Sequence, residues 1–144
     1  MAYGGNPKRG EELLLQYQCI QCHQVGKKKI AANAQTATIG PDLSNIGKTR
    51  DRQHLVTSLL NPSDTITEGF GTAIIKLKSG KELTAVLDKK TDKTWHLKLP
   101  DGSSQQLSTK DIASQTLISV MPNYSQVIPP ESIRDIVAYL ASLK

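Results

Sequence analysis

The chain reads as α+β: a mainly helical core into which a small antiparallel β-sheet or half-barrel is inserted, just before a methionine-bearing loop. Three observations predict this. Apolar residues recur at three-to-four spacing near both ends, in Lys8–Tyr17 and in the stretch that Pro129-Pro130-Glu131 opens toward Leu143, the period of a helix buried along one side. From Phe70 onward the period becomes two, and turn residues recur every ~8–12 positions, the spacing of a small antiparallel sheet. A chain of 144 residues holds one domain with an elaboration and buries a real core. One domain over residues 1–144 is expected, with the core in 5–67 and 118–144 and the β insertion in 68–117.

Asn6-Pro7 has the form of a helix start, asparagine as N-cap and proline at the first helical position. The helix should run to Tyr17, with Leu14 and Tyr17, or Leu13 and Leu14, facing inward. Gly26 and the cationic run Lys27-Lys28-Lys29 follow the next motif, and such a run reads either as a docking patch or as a solvated loop. Residues 30–38 are small and polar, a surface loop. In Gly40-Pro41-Asp42-Leu43 the proline stiffens the chain and the glycine permits close approach. Arg50–Leu60 places Leu55, Leu59 and Leu60 in a short amphipathic helix stopped by Asn61-Pro62. Strands are expected at Thr72–Leu77, Glu82–Lys89, Thr94–Leu99, Gln105–Ser108 and Ile112–Ile118. Trp95, Leu97 and Leu99 share one face, which puts His96 on the other, toward solvent. In the last helix Ile133, Ile136, Val137 and Leu140 form the apolar stripe, with Tyr139 beside them.

The chemistry is concentrated in Cys19-Ile20-Gln21-Cys22-His23. Two cysteines separated by two residues, with a histidine directly after the second, form the pattern for covalent attachment of haem c. Each thiol adds to one vinyl group at the porphyrin edge, so the sulfurs must stand about one helical turn apart, and His23 is carried under the ring to bind iron. A thioredoxin-like pair should follow a strand, and this one follows a helix. A structural zinc site needs four ligands, and the chain has only these two cysteines and three scattered histidines, His23, His54 and His96. A disulfide across so short a loop would stabilise little.

Two further groups suit a haem. A histidine ligand normally donates its second ring N–H to a carbonyl, and the Gly40-Pro41 turn offers one, which makes Pro41 a candidate. Met121 is the only methionine beyond Met1; a thioether is the soft neutral donor that pairs with histidine on an electron-transfer haem and raises its potential. Arg50 and Arg52 are the candidates for pairing with a haem propionate, Arg52 being the one selected. His54 reads as a surface or packing residue.

Composition narrows the class. Lys and Arg exceed Asp and Glu by 18 to 13, a net charge of +5, which favours an acidic partner surface. No nucleic-acid partner is expected. No run of 18 apolar residues exists to span a membrane, and Met1–Gly10 has no signal-peptide character. Covalent haem attachment takes place outside the cytoplasm, so a periplasmic or otherwise exported protein is expected, its export signal absent from this sequence.

With these residues assembled, the chain resembles a class I cytochrome c. The likeness rests on Gly10 and Leu14, Cys19–His23, Gly40-Pro41-Asp42-Leu43, Met121-Pro122 and Asp135–Leu140. It implies a close crossing of the first and last helices at Gly10 and Tyr139. A closer likeness covers nearly the whole chain and is to the haem-binding cytochrome c domain of planctomycete- and verrucomicrobium-type bacteria, often found at the end of large dehydrogenase-like proteins. Ile46-Gly47, Asn61-Pro62-Ser63, the strand-rich insertion and Ser119-Val120-Met121-Pro122 carry it. The chain departs from the family in carrying Lys27–Lys29 where a glycine-rich run is usual, and in placing Gly10 nine residues before Cys19. The resemblance implies a non-enzymatic monohaem c-type cytochrome transferring single electrons between redox proteins. A haem-based gas sensor or small peroxidase, and a non-redox module working through the β insertion, are the alternatives.

Overall fold

The computed structural model describes residues 4–26, 40–99 and 101–144. The lysine run 27–29 and the polar stretch 30–38 lie outside the described residues. The chain forms two compact units, one from the residues up to Asp64 together with Met121–Lys144, the other from Thr65–Val120.

In the helical unit, α1 spans Pro7–Gln16. The Asn6 side chain accepts from the N–H groups of Lys8 (3.0 Å) and Arg9 (3.2 Å), which satisfies two amides that have no partner inside the helix. Gly10, Leu13 and Leu14 are its buried residues. Tyr17 lies just past the helix as its C-cap, half-buried, with its N–H on the Leu13 carbonyl. The last helix, α4, was expected to reach Leu143 and spans Pro130–Ser142; Ile133, Ile136, Val137 and Leu140 are all buried.

Helices α1 and α4 meet backbone to backbone. A Cβ on Gly10 would stand 2.6 Å from the Asp135 carbonyl carbon and 2.9 Å from Tyr139 Cβ, so only glycine admits this approach. Asp135 itself is buried, and its carboxylate accepts the Asn6 N–H at 2.8 Å and lies 3.7 Å from Arg9 Nε. The amide and the guanidinium together offset the cost of burying its charge.

A single turn, α2 (Ile46–Thr49), is absent from the sequence reading. It rests on the end of α4, where the Gly47 N–H donates to the Leu143 carbonyl at 2.8 Å. Helix α3 spans Arg52–Leu60 and starts two residues later than expected, because the Asp51 side chain caps it by accepting the His54 N–H at 2.8 Å. Leu55 and Leu59 are buried, whereas Leu60 is exposed. One residue of helix turns a side chain by about 100°, so adjacent leucines cannot share a narrow buried stripe.

The second unit is a five-stranded antiparallel sheet in the order β4-β3-β2-β1-β5, from β1 (Gly71–Leu77), β2 (Glu82–Lys90), β3 (Thr94–Lys98), β4 (Ser104–Ser108) and β5 (Ile112–Ile118). After a 3-10 turn at Thr109–Asp111, β5 returns to pair with the free edge of β1. Register shifts at Lys76/Leu77 and Leu87/Lys89 bend the sheet. Ala73, Ile75, Ala85, Leu87, Trp95, Leu97 and Leu107 form its buried core. His96 occupies the opposite face, as its parity requires, but is half-buried because β3 has a neighbour on each side.

Trp95 is the largest side chain of this core, and Lys90 Nζ lies 5.6 Å from its ring centroid. Truncating a buried aromatic of this size costs about 3–5 kcal/mol. Trp95→Ala should therefore lower the denaturation midpoint of the sheet unit, read by amide exchange in Gly71–Ile118.

Candidate functional site

Helix α1 hands the chain to the cysteine motif through Gln18, whose φ of +59° is the one positive value at a non-glycine among the described residues. This left-handed residue turns the backbone into a 3-10 turn at Cys19–Gln21. The amides of Cys22 and His23 both donate to the Cys19 carbonyl, at 3.2 and 3.0 Å. That single turn brings the two cysteines one helical turn apart while Ile20 is buried in the helical core. Both thiols are free and half-buried. Burial, with a smaller contribution from the neighbouring Cys22 charge, pushes the Cys19 thiol up to about 11, so Cys19 stays a neutral thiol.

His23 is held by the segment opposite. Its Nδ1 donates to the Pro41 carbonyl at 2.7 Å. Burial holds the imidazole below its ordinary pKa, and the Pro41 carbonyl acts against that shift. With Nδ1 carrying the proton, Nε2 keeps its lone pair for a metal. Gly40 lies against the ring, since a Cβ there would be 2.6 Å from His23 Cε1.

The segment Gly40–Ser44 is itself pinned to the motif. The Gly40 N–H donates to the Cys22 carbonyl (3.0 Å), the Leu43 N–H to the Gln24 carbonyl (2.8 Å), and the Gly26 N–H to Ser44 Oγ (2.6 Å). Asp42 Oδ1 accepts from both the N–H and the hydroxyl of Ser44, which holds the Asp42 carboxyl below its usual range. Asp-x-Ser is an Asx-turn signature, and that signal in the sequence could have identified Ser44 as a clamp.

Gly40→Ala should push the His23 ring off the Pro41 carbonyl. The overpacking costs about 1–3 kcal/mol. The expected readout is loss, or much faster exchange, of the His23 Nδ1–H resonance.

Met121 is half-buried and packs against the same helical core as Cys19, Leu43 and Tyr124. The loop that carries it is tethered by the Tyr124 N–H on the Leu59 carbonyl at 2.9 Å. Tyr124 is missing from the sequence reading. Burial raises its phenol pKa, and it lies within electrostatic reach of Cys19 and Cys22, so a loop distant in sequence supplies a wall beside the cysteines. Its position after Met121-Pro122 was the available signal.

The structure thus brings Cys19, Cys22, His23 and Pro41 together and packs Met121 against their core. Arg52 lines a cleft between α3 and α4 whose lining includes none of those five. His54 is half-buried in α3, and among the described residues no three His, Cys, Asp or Glu side chains gather to hold a metal ion.

The donor set fits a haem bound through two thioethers. Two free thiols one turn apart, an imidazole locked with Nε2 open, and a glycine where any side chain would strike that imidazole are what such attachment requires. Tyr17, Leu43, Ile46 and Tyr124, partly buried around the helical core, supply apolar surface. In comparison with protein families, the model described as cytochrome c matches residues 7–84. No curated protein matches the chain. The matched segment contains Cys19, Cys22, His23, Pro41 and Arg52, while Met121 lies beyond it.

Proposed function

The chain belongs to the cytochrome c family, which serves haem-based electron transfer, and from this we propose that it is a monohaem c-type cytochrome exchanging single electrons with redox proteins in the periplasm. The observation that carries this reading is the His23 Nδ1 bond to the Pro41 carbonyl beside two free thiols one turn apart. When bound, the haem supplies the Fe(III)/Fe(II) couple.

In this proposal Cys19 and Cys22 would form the thioether links, and His23 Nε2 and the Met121 sulfur would ligate the iron. Pro41 fixes the imidazole orientation and strengthens it as a donor. Ile20, Leu43 and Tyr124 keep water from the ring. The net charge of +5 supports partners with acidic docking surfaces. Asn61-Pro62-Ser63, the β insertion and Ser119-Val120-Met121-Pro122 support kinship with the haem-binding domains that end large dehydrogenase-like proteins, so the electron donor is proposed to be such a dehydrogenase module. Among the described residues no helix is long and apolar enough to cross a membrane.

Acidified organic solvent distinguishes thioether-linked from dissociable haem. The haem should stay with the polypeptide and add its mass to it, and Cys19→Ala with Cys22→Ala should release it. Complete extraction from the unaltered protein rejects the assignment, and a reduced spectrum that shifts with CO would favour a gas sensor instead.

A further inference from the structure

Strand β5 is one edge of the five-stranded sheet, and among the described residues no strand pairs with its outer side. Its composition is unusual for that position. Proteins guard exposed edges with lysine, proline or very short strands. Here the inner strands β1, β2 and β3 carry the charged side chains, whereas β4 and β5 carry none. β5 is also 7 residues long and has no proline or glycine. Ala113–Thr116 and Ile118 are exposed on it. We propose that β5 pairs antiparallel with β5 of a second copy of this chain, joining the two sheets across a two-fold axis at Gln115.

The strand's own sequence selects that occupant. Read in either direction, Ile112-Ala113-Ser114-Gln115-Thr116-Leu117-Ile118 runs apolar, apolar, polar, polar, polar, apolar, apolar. A two-fold interface requires a surface that complements itself, and a palindrome of this kind meets the requirement in an antiparallel pair. With the axis at Gln115, that residue faces its own copy, Ser114 faces Thr116, and Ala113 faces Leu117. A glutamine amide both donates and accepts, so two can bond each other, and Ser–Thr pairs across strands are favourable. Leu117, which already packs against the sheet core, gains an apolar neighbour. Alternate backbone groups of β5 point away from β1 and would complete the new ladder.

Neighbouring strands do not oppose the pairing. Lys76 lies beside Ser114, and Ile74 beside Thr116. The row across the axis therefore runs Lys76, Ser114, then Thr116 and Ile74 of the second copy, and no like charges face each other. The register shift at Lys76/Leu77 falls near Ile112 and leaves Ser114–Thr116, the centre of the pairing, regular. β4 lacks this symmetry, because a two-fold at Gln106 would set Gln105 against Leu107. One strand pair is a small contact, so the dimer should be weak and concentration-dependent.

The test is sedimentation equilibrium of the holoprotein over a concentration series reaching the millimolar range. The mass should rise from one chain to two and stop there, while alternate β5 amides exchange more slowly. Gln115→Lys sets two ammonium groups face to face and should weaken association at least about tenfold, as should the carboxylates of Gln115→Glu. An equimolar mixture of the two variants should associate at least as well as the unaltered protein, a rescue that a merely damaged sheet would not show. Gln106→Lys, exposed on β4, should change nothing. A single-chain mass at every concentration would overturn the proposal, as would an equal loss from Gln106→Lys or a mixture that stays monomeric. Growth beyond two chains would also overturn it, since that requires unlike edges joined head to tail. The readout is independent of electron transfer, so its failure leaves the cytochrome reading untouched.

Discussion

Met121→Ala should leave the haem covalently held by Cys19 and Cys22 but convert the iron from low-spin to high-spin, or to ligation by water or a lysine. The argument rests on donor chemistry. A thioether is neutral and soft and favours Fe(II), so its loss should lower the midpoint potential. Axial ligands set potentials over about 0.8 V, and a fall on the order of 0.1–0.3 V is expected. The half-buried setting of Met121 and the tether from Tyr124 to Leu59 pre-order its loop, which would reduce the entropy lost in the proposed ligation. Loss of the weak thioether–iron absorbance band and the shift in potential are the measurements. If both are unchanged, another side chain is the sixth ligand.

Gly10→Ala is expected to be the most damaging single-methyl addition to the helical unit. The new Cβ would sit 2.6 Å from the Asp135 carbonyl carbon and 2.9 Å from Tyr139 Cβ. Its first obstacle is helix backbone, which cannot rotate away as a side-chain tip can. The helices must separate, and with them the Asn6–Asp135 and Arg9–Asp135 contacts. The cost should reach about 3 kcal/mol, the upper end for overpacking, or a fall in Tm of roughly 10 °C. Gly4→Ala is the control, because nothing lies within 4 Å of the added methyl, and it should change stability by less than about 0.5 kcal/mol. Equal melting of both variants would show that the crossing tolerates a wider helix separation.

Much of the architecture was legible because local rules act over a few residues. Asn6-Pro7 specifies a helix start through its own side chain and ring, and the alternation in Thr72–Leu77 and Thr94–Leu99 specifies strand faces without reference to the rest of the chain. The Cys19–His23 spacing likewise encodes its chemistry in one turn of backbone. The inserted sheet was expected at 68–117, and the compact unit runs from Thr65 to Val120, since the residues flanking a sheet pack with it without entering a strand.

What the sequence by itself determined is therefore the three longer helices and the five strands, most of their buried faces, and the attachment motif. Tertiary structure alone decided which distant groups meet. It set Gly40 against the His23 ring, Tyr124 beside the cysteines, Gly47 on the end of α4, and Arg52 in a cleft with Arg134, whereas the Gly40-Pro41 turn was already a candidate acceptor for His23 in the sequence. These pairings depend on the packing of helices separated by tens of residues, and no side-chain period or cap rule reaches that far. The physical reason is that local propensity fixes backbone conformation one turn at a time, whereas a site is made where burial and hydrogen bonding bring separate turns together.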